Sequence, residues 1–205
     1  MDANHPPLTA GDEPAQRRFV LEAVLADPVC RALLERLPSL GLKDWWLTAG
    51  AVFQNVWNAR TGQPAGFGIK DYDIFYFDDA DLRWRAEDQI IRRVATHFED
   101  LEANLEVRNQ ARVHLWYREH FGRDIDPFVD SRQAIDSFAV TSCALAVTVD
   151  AEGGYRLYSP FGIDDALELH LRPGTRIAPR EVYERKVTEY SARWPQLCAE
   201  PWPGD

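Results

Sequence analysis

The sequence predicts an α/β (α+β) domain built from a mixed sheet with flanking helices, and three observations carry that prediction. Residues 69–77, IKDYDIFYF, form a β-branched and aromatic run of the kind that fits a pleated, largely buried surface. Residues 51–59 and 82–98 show apolar residues at helical spacing on either side of that run, so the periodicity alternates between 3.6 and 2 along the chain. The chain has 205 residues, 45% of them hydrophobic and 12% aromatic, enough to bury one well-formed core.

In chain order, residues 1–14 are polar and proline-rich without periodicity and read as disordered. A helix follows over 16–26, with Phe19, Val20 and Val24 on one side. Asp27 and Pro28 then supply an N-cap and a first-turn proline for a second helix, which Pro38 and Gly41 close. Trp45 to Leu47 reads as a short strand, Gly50 as a tight turn, and residues 51–59 as a helix whose stripe is Val52, Phe53, Val56 and Trp57. Gly62 and Pro64 stop that helix before the strand at 69–77.

Aspartates 78, 79 and 81 are expected to cap and complement the dipole of a helix over 82–98. Residues 105–117 alternate, with Leu105, Val107, Ala111, Val113 and Leu115 on one parity and Glu106, Arg108, Gln110, Arg112 and His114 on the other, which predicts a strand with one polar face. Residues 119–130 read as a loop at the rim of the site, 131–138 as a short helix capped by Ser131, and 140–150 as a strand. Gly153 and Gly154 make a hairpin turn into a strand at 155–159. A short helix, ALELHL, is stopped at Pro173, and a last helix presents a broad face of Val182, Tyr183, Lys186, Val187, Tyr190 and Trp194. The charges of that last helix read as a solvated surface.

Function is concentrated in residues 45–79. Asp71 and Asp73 stand two apart on a strand, so both carboxylates project from one face, with Cα atoms roughly 6.5 to 7 Å apart. Two like charges on an apolar strand resist desolvation unless a cation neutralises them, and Mg²⁺ accepts one or two carboxylates together with phosphate oxygens. A glycine turn opening a helix presents backbone N–H groups suited to a polyphosphate.

Strand, Ala49-Gly50-Ala51 turn, helix and Asp71-Tyr72-Asp73-Ile74 resemble the nucleotidyltransferases related to DNA polymerase β, including the head of the CCA-adding enzymes. The stretches GAVFQNVWN, IKDYDIFYFDDADLRW, LEVRNQARVHLWY and SPFGIDDALELHLRP extend the likeness to an uncharacterised bacterial branch of that superfamily, from about Trp45 to Trp202. The resemblance implies a polymerase-β-type domain over 15–205, with N-terminal helices at 15–44, a catalytic core at 45–117, and the remaining strands and C-terminal helix at 118–205. It implies transfer of a nucleoside monophosphate from a nucleoside triphosphate, with release of pyrophosphate and with Mg²⁺ or Mn²⁺ as the metal. Asp71 and Asp73 would be the metal ligands and catalytic carboxylates, and Glu106 matches the third by position. Gly50 and Ala51 would cradle the phosphates, Ala51 standing where the family carries a second glycine or a serine. Arg108 and Arg112, on the parity of Glu106, would serve the triphosphate or the acceptor. The alternative on the same fold is a catalytically silent nucleotide-binding or partner-binding module.

Composition narrows the acceptor. The net charge is −10, whereas a protein that holds bare nucleic acid draws most of its affinity from a basic face, so a small-molecule acceptor is expected. No apolar run reaches the length of a membrane span, and the N-terminus lacks a basic region followed by an apolar core, which predicts a cytoplasmic protein without membrane contact. Cys30, Cys143 and Cys198 stand singly and read as reduced, buried residues, and no H-E-x-x-H pattern or other zinc spacing occurs.

Overall fold

A computed structural model describes residues 13–204. The helix read over 16–26 begins earlier, as α1 (Glu13–Ala26), so Glu13 and Pro14 are helical; the rest of the segment expected to be disordered lies outside the described residues. Asp27 caps α2 (Pro28–Arg36) as its sequence foretells, its Oδ1 accepting the Val29 N–H.

Five strands make the main sheet, in the order β3-β2-β1-β4-β5: β1 (Trp46–Thr48), β2 (Tyr72–Tyr76), β3 (Leu105–Asn109), β4 (Ala146–Val149) and β5 (Tyr155–Tyr158). β2 and β3 run parallel while the other pairs are antiparallel, so the sheet is mixed as predicted. A parallel pair needs a crossover, and α4 (Trp84–His97) supplies it and packs on β3. α3 (Gly50–Thr61) connects β1 to β2 and packs against both, and against α1.

Alternation along the strands divides the sheet into two faces. Leu47, Ile74, Val107 and Val147 point into the main core, where they meet Val20, Leu33, Leu34, Phe53 and Trp57 of the helices. The opposite face carries Trp46, Phe75 and Ala146, which pack with Ile135 and Phe138 in a second, smaller cluster. It is this second face that also presents Asp73 and Glu106.

Several expected elements are corrected. Residues 105–117 are not one strand. The side chain of Asn109 accepts the Ala111 N–H and starts a 3-10 turn over Gln110–Arg112, which runs into α5 (Val113–Phe121). Polar residues at alternate positions mimicked a strand, but burial follows the helix, with Val113 and Tyr117 inside and Leu115 54% exposed. The residue that caps α6 (Ser131–Ile135) is Asp130, not Ser131. Thr141–Cys143 form a 3-10 turn ahead of β4, and Arg83, not an aspartate, occupies the N-cap of α4.

ALELHL is not a helix throughout. α7 (Asp164–Leu167) stops where Leu169 takes φ +61°, and β6 (His170–Leu171) then pairs in parallel with β7 (Cys198–Ala199) beyond α8 (Arg180–Arg193). Cys30 and Cys143 are buried as read, whereas Cys198 is exposed. Among the described residues, no helix is long and apolar enough to cross a membrane.

Candidate active site

The turn between β1 and α3 has its special backbone one residue earlier than the sequence suggests. Ala49, not Gly50, carries the positive φ, at φ 53° and ψ −134°, a conformation that costs a residue with a Cβ and belongs to glycine. The Ala49 carbonyl accepts the N–H groups of Val52 and Phe53, so the N–H groups of Gly50 and Ala51 are left at the open end of the helix. Gly50 serves close approach instead: a Cβ there would stand 2.7 Å from Gln54 Nε2 and 3.9 Å from the Asp71 carbonyl oxygen. Ala51 is fully buried and lines neither chamber, so of the expected phosphate cradle only Gly50 borders the polar one.

Asp73 is the centre of the arrangement. It is the register partner of Thr48 on one side and of Glu106 on the other, and the parallel pairing of β2 with β3 brings the two carboxylates to the same face and the same strand end. Burial, then the charges of Glu106 and Asp71, push its carboxyl up to about 7, while Lys186 and Arg108 draw it back. Asp71 stands just ahead of β2, and its Oδ1 accepts the Asn104 amide at 2.5 Å. Glu106 Oε1 accepts Arg108 Nε at 3.1 Å and Nη2 at 3.0 Å. Among the described residues, no group of three or more acidic, His or Cys side chains is arranged to hold a metal ion, although the charges of Glu106 and Asp71 both act on Asp73.

The D-x-D strand is anchored from behind. Tyr72, between the two aspartates, points the other way and donates its hydroxyl to Asp27 Oδ2 at 3.0 Å. The same buried oxygen accepts the Asn55 amide at 3.1 Å and the Cys30 thiol at 3.5 Å, and Asn55 Oδ1 accepts the Gly66 N–H. Asn58 takes up both the Phe67 carbonyl and the Trp194 indole N–H, while Arg193 donates to the Gly68 carbonyl. The loop leading to Asp71 is thereby fixed to α2, α3 and α8.

Two chambers open from this centre. A polar one of about 170 Å³ is lined by Gly50, Gln54, Lys70, Asp71, Glu189 and Arg193. An apolar one of about 350 Å³ holds Glu106 and Arg108 at the foot of a wall of aromatic rings that includes Phe75, Trp116, Tyr117, Phe121, Phe128 and Phe138. Ala49, Asp73, Lys186 and Tyr190 border both. Gln54 Oε1, buried beside the polar chamber, has no hydrogen-bond partner among the described residues.

Two site residues escaped the sequence reading. Lys186 and Tyr190, joined by an Nζ to Oη contact of 3.3 Å, lay on the broad face of the last helix with the lysine read as solvated, although Val182, Lys186 and Tyr190 repeat every four residues and so share one stripe. Arg112 is corrected in the other direction: it pairs with buried Glu87 and donates to the Leu82 carbonyl, and it borders neither chamber.

Comparison with known proteins bears on the family and the fold. A family model described as Nucleotidyltransferase matches residues 35–199. A solved NMR structure, described as revealing a CCA-adding enzyme head domain, superposes with a TM-score of 0.73 at 22% identity, covering 91% of this chain and 96% of that one. Two structures described as tRNA-processing enzymes align at TM-scores of 0.48 and 0.47 with 14% and 15% identity; this chain covers 46% and 43% of their lengths. No curated protein matches the chain.

Proposed function

This chain belongs to the nucleotidyltransferase family, and we propose that it moves a nucleoside monophosphate from a nucleoside triphosphate to a small-molecule acceptor in the cytoplasm, with release of pyrophosphate. The observation that carries this reading is the position of Asp73, flanked by Asp71 on the polar side and Glu106 on the apolar side.

The polar chamber suits a triphosphate. Gly50 brings the start of α3 to its wall, and Lys70, Lys186 and Arg193 supply positive charge around it. The fold family implies a divalent metal, and the donor set fits one: the ligands are hard oxygens, the carboxylates crowd until Asp73 resists ionisation, and Gln54 Oε1 offers a further unpaired oxygen. Asp71 and Asp73 would hold Mg²⁺, or Mn²⁺ in its place, with Glu106 next to them. Such an ion, when bound, neutralises phosphate charge and acidifies a coordinated hydroxyl.

The protein's own groups do the rest. Helix N–H groups and cations orient the phosphates, the anchored D-x-D strand fixes the α-phosphorus beside Asp73, and Glu106 stands ready to take the acceptor's proton. Arg108 holds Glu106 in place and lies on the acceptor side rather than the phosphate side.

A silent nucleotide-binding module has one observation in its favour, the engagement of Asp71 by Asn104 and of Glu106 by Arg108. Calorimetry with each triphosphate, with Mg²⁺ and with EDTA, combined with a pyrophosphate-release assay in the presence of cell extract, separates the two. Metal-dependent binding followed by release supports transfer. Binding that never yields pyrophosphate supports the silent module.

A further inference from the structure

The two chambers differ in chemistry, and each touches a different outer carboxylate. Asp71 borders only the polar chamber and Glu106 only the apolar one. If the triphosphate occupies the side with Gly50, Lys70 and Arg193, the attacking group must arrive from the side of Glu106. Resting on the nucleotidyl-transfer reading above, we propose that the apolar chamber is the acceptor site and that the acceptor is an uncharged molecule with an aromatic or branched aliphatic body bearing one nucleophilic hydroxyl.

The chamber's size and walls argue for that class. Its volume of about 350 Å³ lies within the range of small-molecule sites. Its wall is made of Phe75, Trp116, Tyr117, Phe121, Phe128 and Phe138, backed by Val140 and Val182. Two ion pairs of the chamber are closed within the protein: Glu87 is buried against Arg112, and Arg108 is bound to Glu106. Lys186 is left as a single cation beside the carboxylates of Asp73 and Glu106, too little to hold a polyanionic acceptor against an overall charge of −10. Phe121, at the end of α5, carries the same chemistry to the surface. An apolar body buried among these rings would leave its single hydroxyl directed at the end of the chamber shared with the polar one, where Asp73 and Lys186 stand beside Glu106.

The chemical step balances with these groups alone. The acceptor oxygen attacks the α-phosphorus and forms the new P–O bond, the bond from that phosphorus to the bridging oxygen breaks with its electron pair leaving on pyrophosphate, and the hydroxyl proton passes to Glu106. Oε1 of Glu106 is occupied by Arg108, so the other carboxylate oxygen receives it.

Titration with three probes, 2-naphthaleneethanol, 4-phenyl-1-butanol and 1-octanol, tests the assignment. At least one is expected to bind the wild-type protein and to stimulate Mg²⁺-dependent pyrophosphate release. Val182→Trp, which fills the chamber, and Trp116→Ala, which removes a partly exposed wall ring, should each weaken that binding by about tenfold or more, as expected for the contact of one ring, while triphosphate binding changes by less than about twofold. Trp116→Ala keeps the test open if Val182→Trp fails to fold. Triphosphate binding with no binding of any probe overturns the acceptor assignment and leaves nucleotidyl transfer standing. Equal loss of triphosphate and probe binding in the variants also overturns it, because the chamber would then hold the nucleobase, and so does transfer of labelled nucleotide to bulk tRNA. Failure of every triphosphate to bind with Mg²⁺ removes the reading on which it rests.

Discussion

Asp73 and Glu106 face each other across the parallel pair β2 and β3, one residue from the start of each strand, so two carboxylates that the sequence separates by a whole crossover helix share one polar patch. Their mutual repulsion, added to burial, is what pushes Asp73 up to about 7.

The first prediction follows from that shift. An unfolded aspartate ionises near 3.9, so between about pH 4 and 7 the folded protein binds the extra proton. The stability contributed by Asp73 is therefore full below about pH 4 and is lost as pH rises through 7. In EDTA, Asp73→Asn should remove this loss, leaving the variant more stable than wild type by about 1 to 3 kcal/mol at pH 8 and nearly equal to it at pH 4. Melting curves across that range check it; a lower melting temperature for the variant at pH 8 would mark Asp73 as a structural hydrogen-bond acceptor. With Mg²⁺ and triphosphate, the same variant should lose pyrophosphate release.

Ala49 adopts a backbone conformation that favours glycine. Ala49→Gly should stabilise the protein by about 1 kcal/mol, since release from strain outweighs the added freedom of the unfolded chain. Urea unfolding measures it. A destabilised variant would mean that the Ala49 methyl packs well enough to offset the strain.

Arg108 and Arg112 stand on the same parity in the sequence but have opposite jobs in the fold. Arg112→Ala leaves Glu87 buried without its partner and should cost roughly 3 to 5 kcal/mol. Arg108→Ala, whose partner is half exposed, should cost less than about 1 kcal/mol and act on turnover through a mispositioned Glu106. Chemical denaturation and pyrophosphate release, measured on both variants, separate these effects.

Tyr72→Phe removes the hydroxyl that ties the D-x-D strand to Asp27, at a cost of about 1 kcal/mol. Asp27→Ala removes the cap of α2 as well and leaves the Tyr72 hydroxyl without its acceptor, while the Asn55 amide keeps the Ala51 carbonyl, so its cost should reach about 3 kcal/mol. Neither residue touches the chambers, so any fall in turnover at temperatures where the variants stay folded reports the placement of Asp71 and Asp73.

Much of this was legible in the chain because local chemistry and final structure agree. Asp27-Pro28 caps a helix wherever it is placed, and an aromatic run interrupted by two aspartates at period two has one buried face and one charged face. The segment 105–117 misled because Asn109 bends the chain with its own side chain, and because residues two apart in a helix can alternate in polarity by chance. Lys186 was read as solvated for a different reason: its surroundings are set by Asp73, more than a hundred residues earlier, and a single charge in a helical stripe resembles a solvated one until the partner strand is known. The β6–β7 pair has only two residues on each side, too few to show a period.

The clasp made by α8 bears on how the protein is made. Trp194 reaches back to Asn58 and Arg193 to Gly68, across 136 and 125 residues, and the same helix delivers Lys186 to the carboxylates. Contacts so distant along the chain close late, after nearer pairings have formed. On the ribosome, β1, α3, β2 and β3 emerge well before α8, so the acidic face of the sheet exists for a time without the lysine that balances it. The acidic face therefore gains its balancing lysine only once α8 has emerged, and a chain stalled before residue 180 would hold the carboxylates without the helix that borders both chambers.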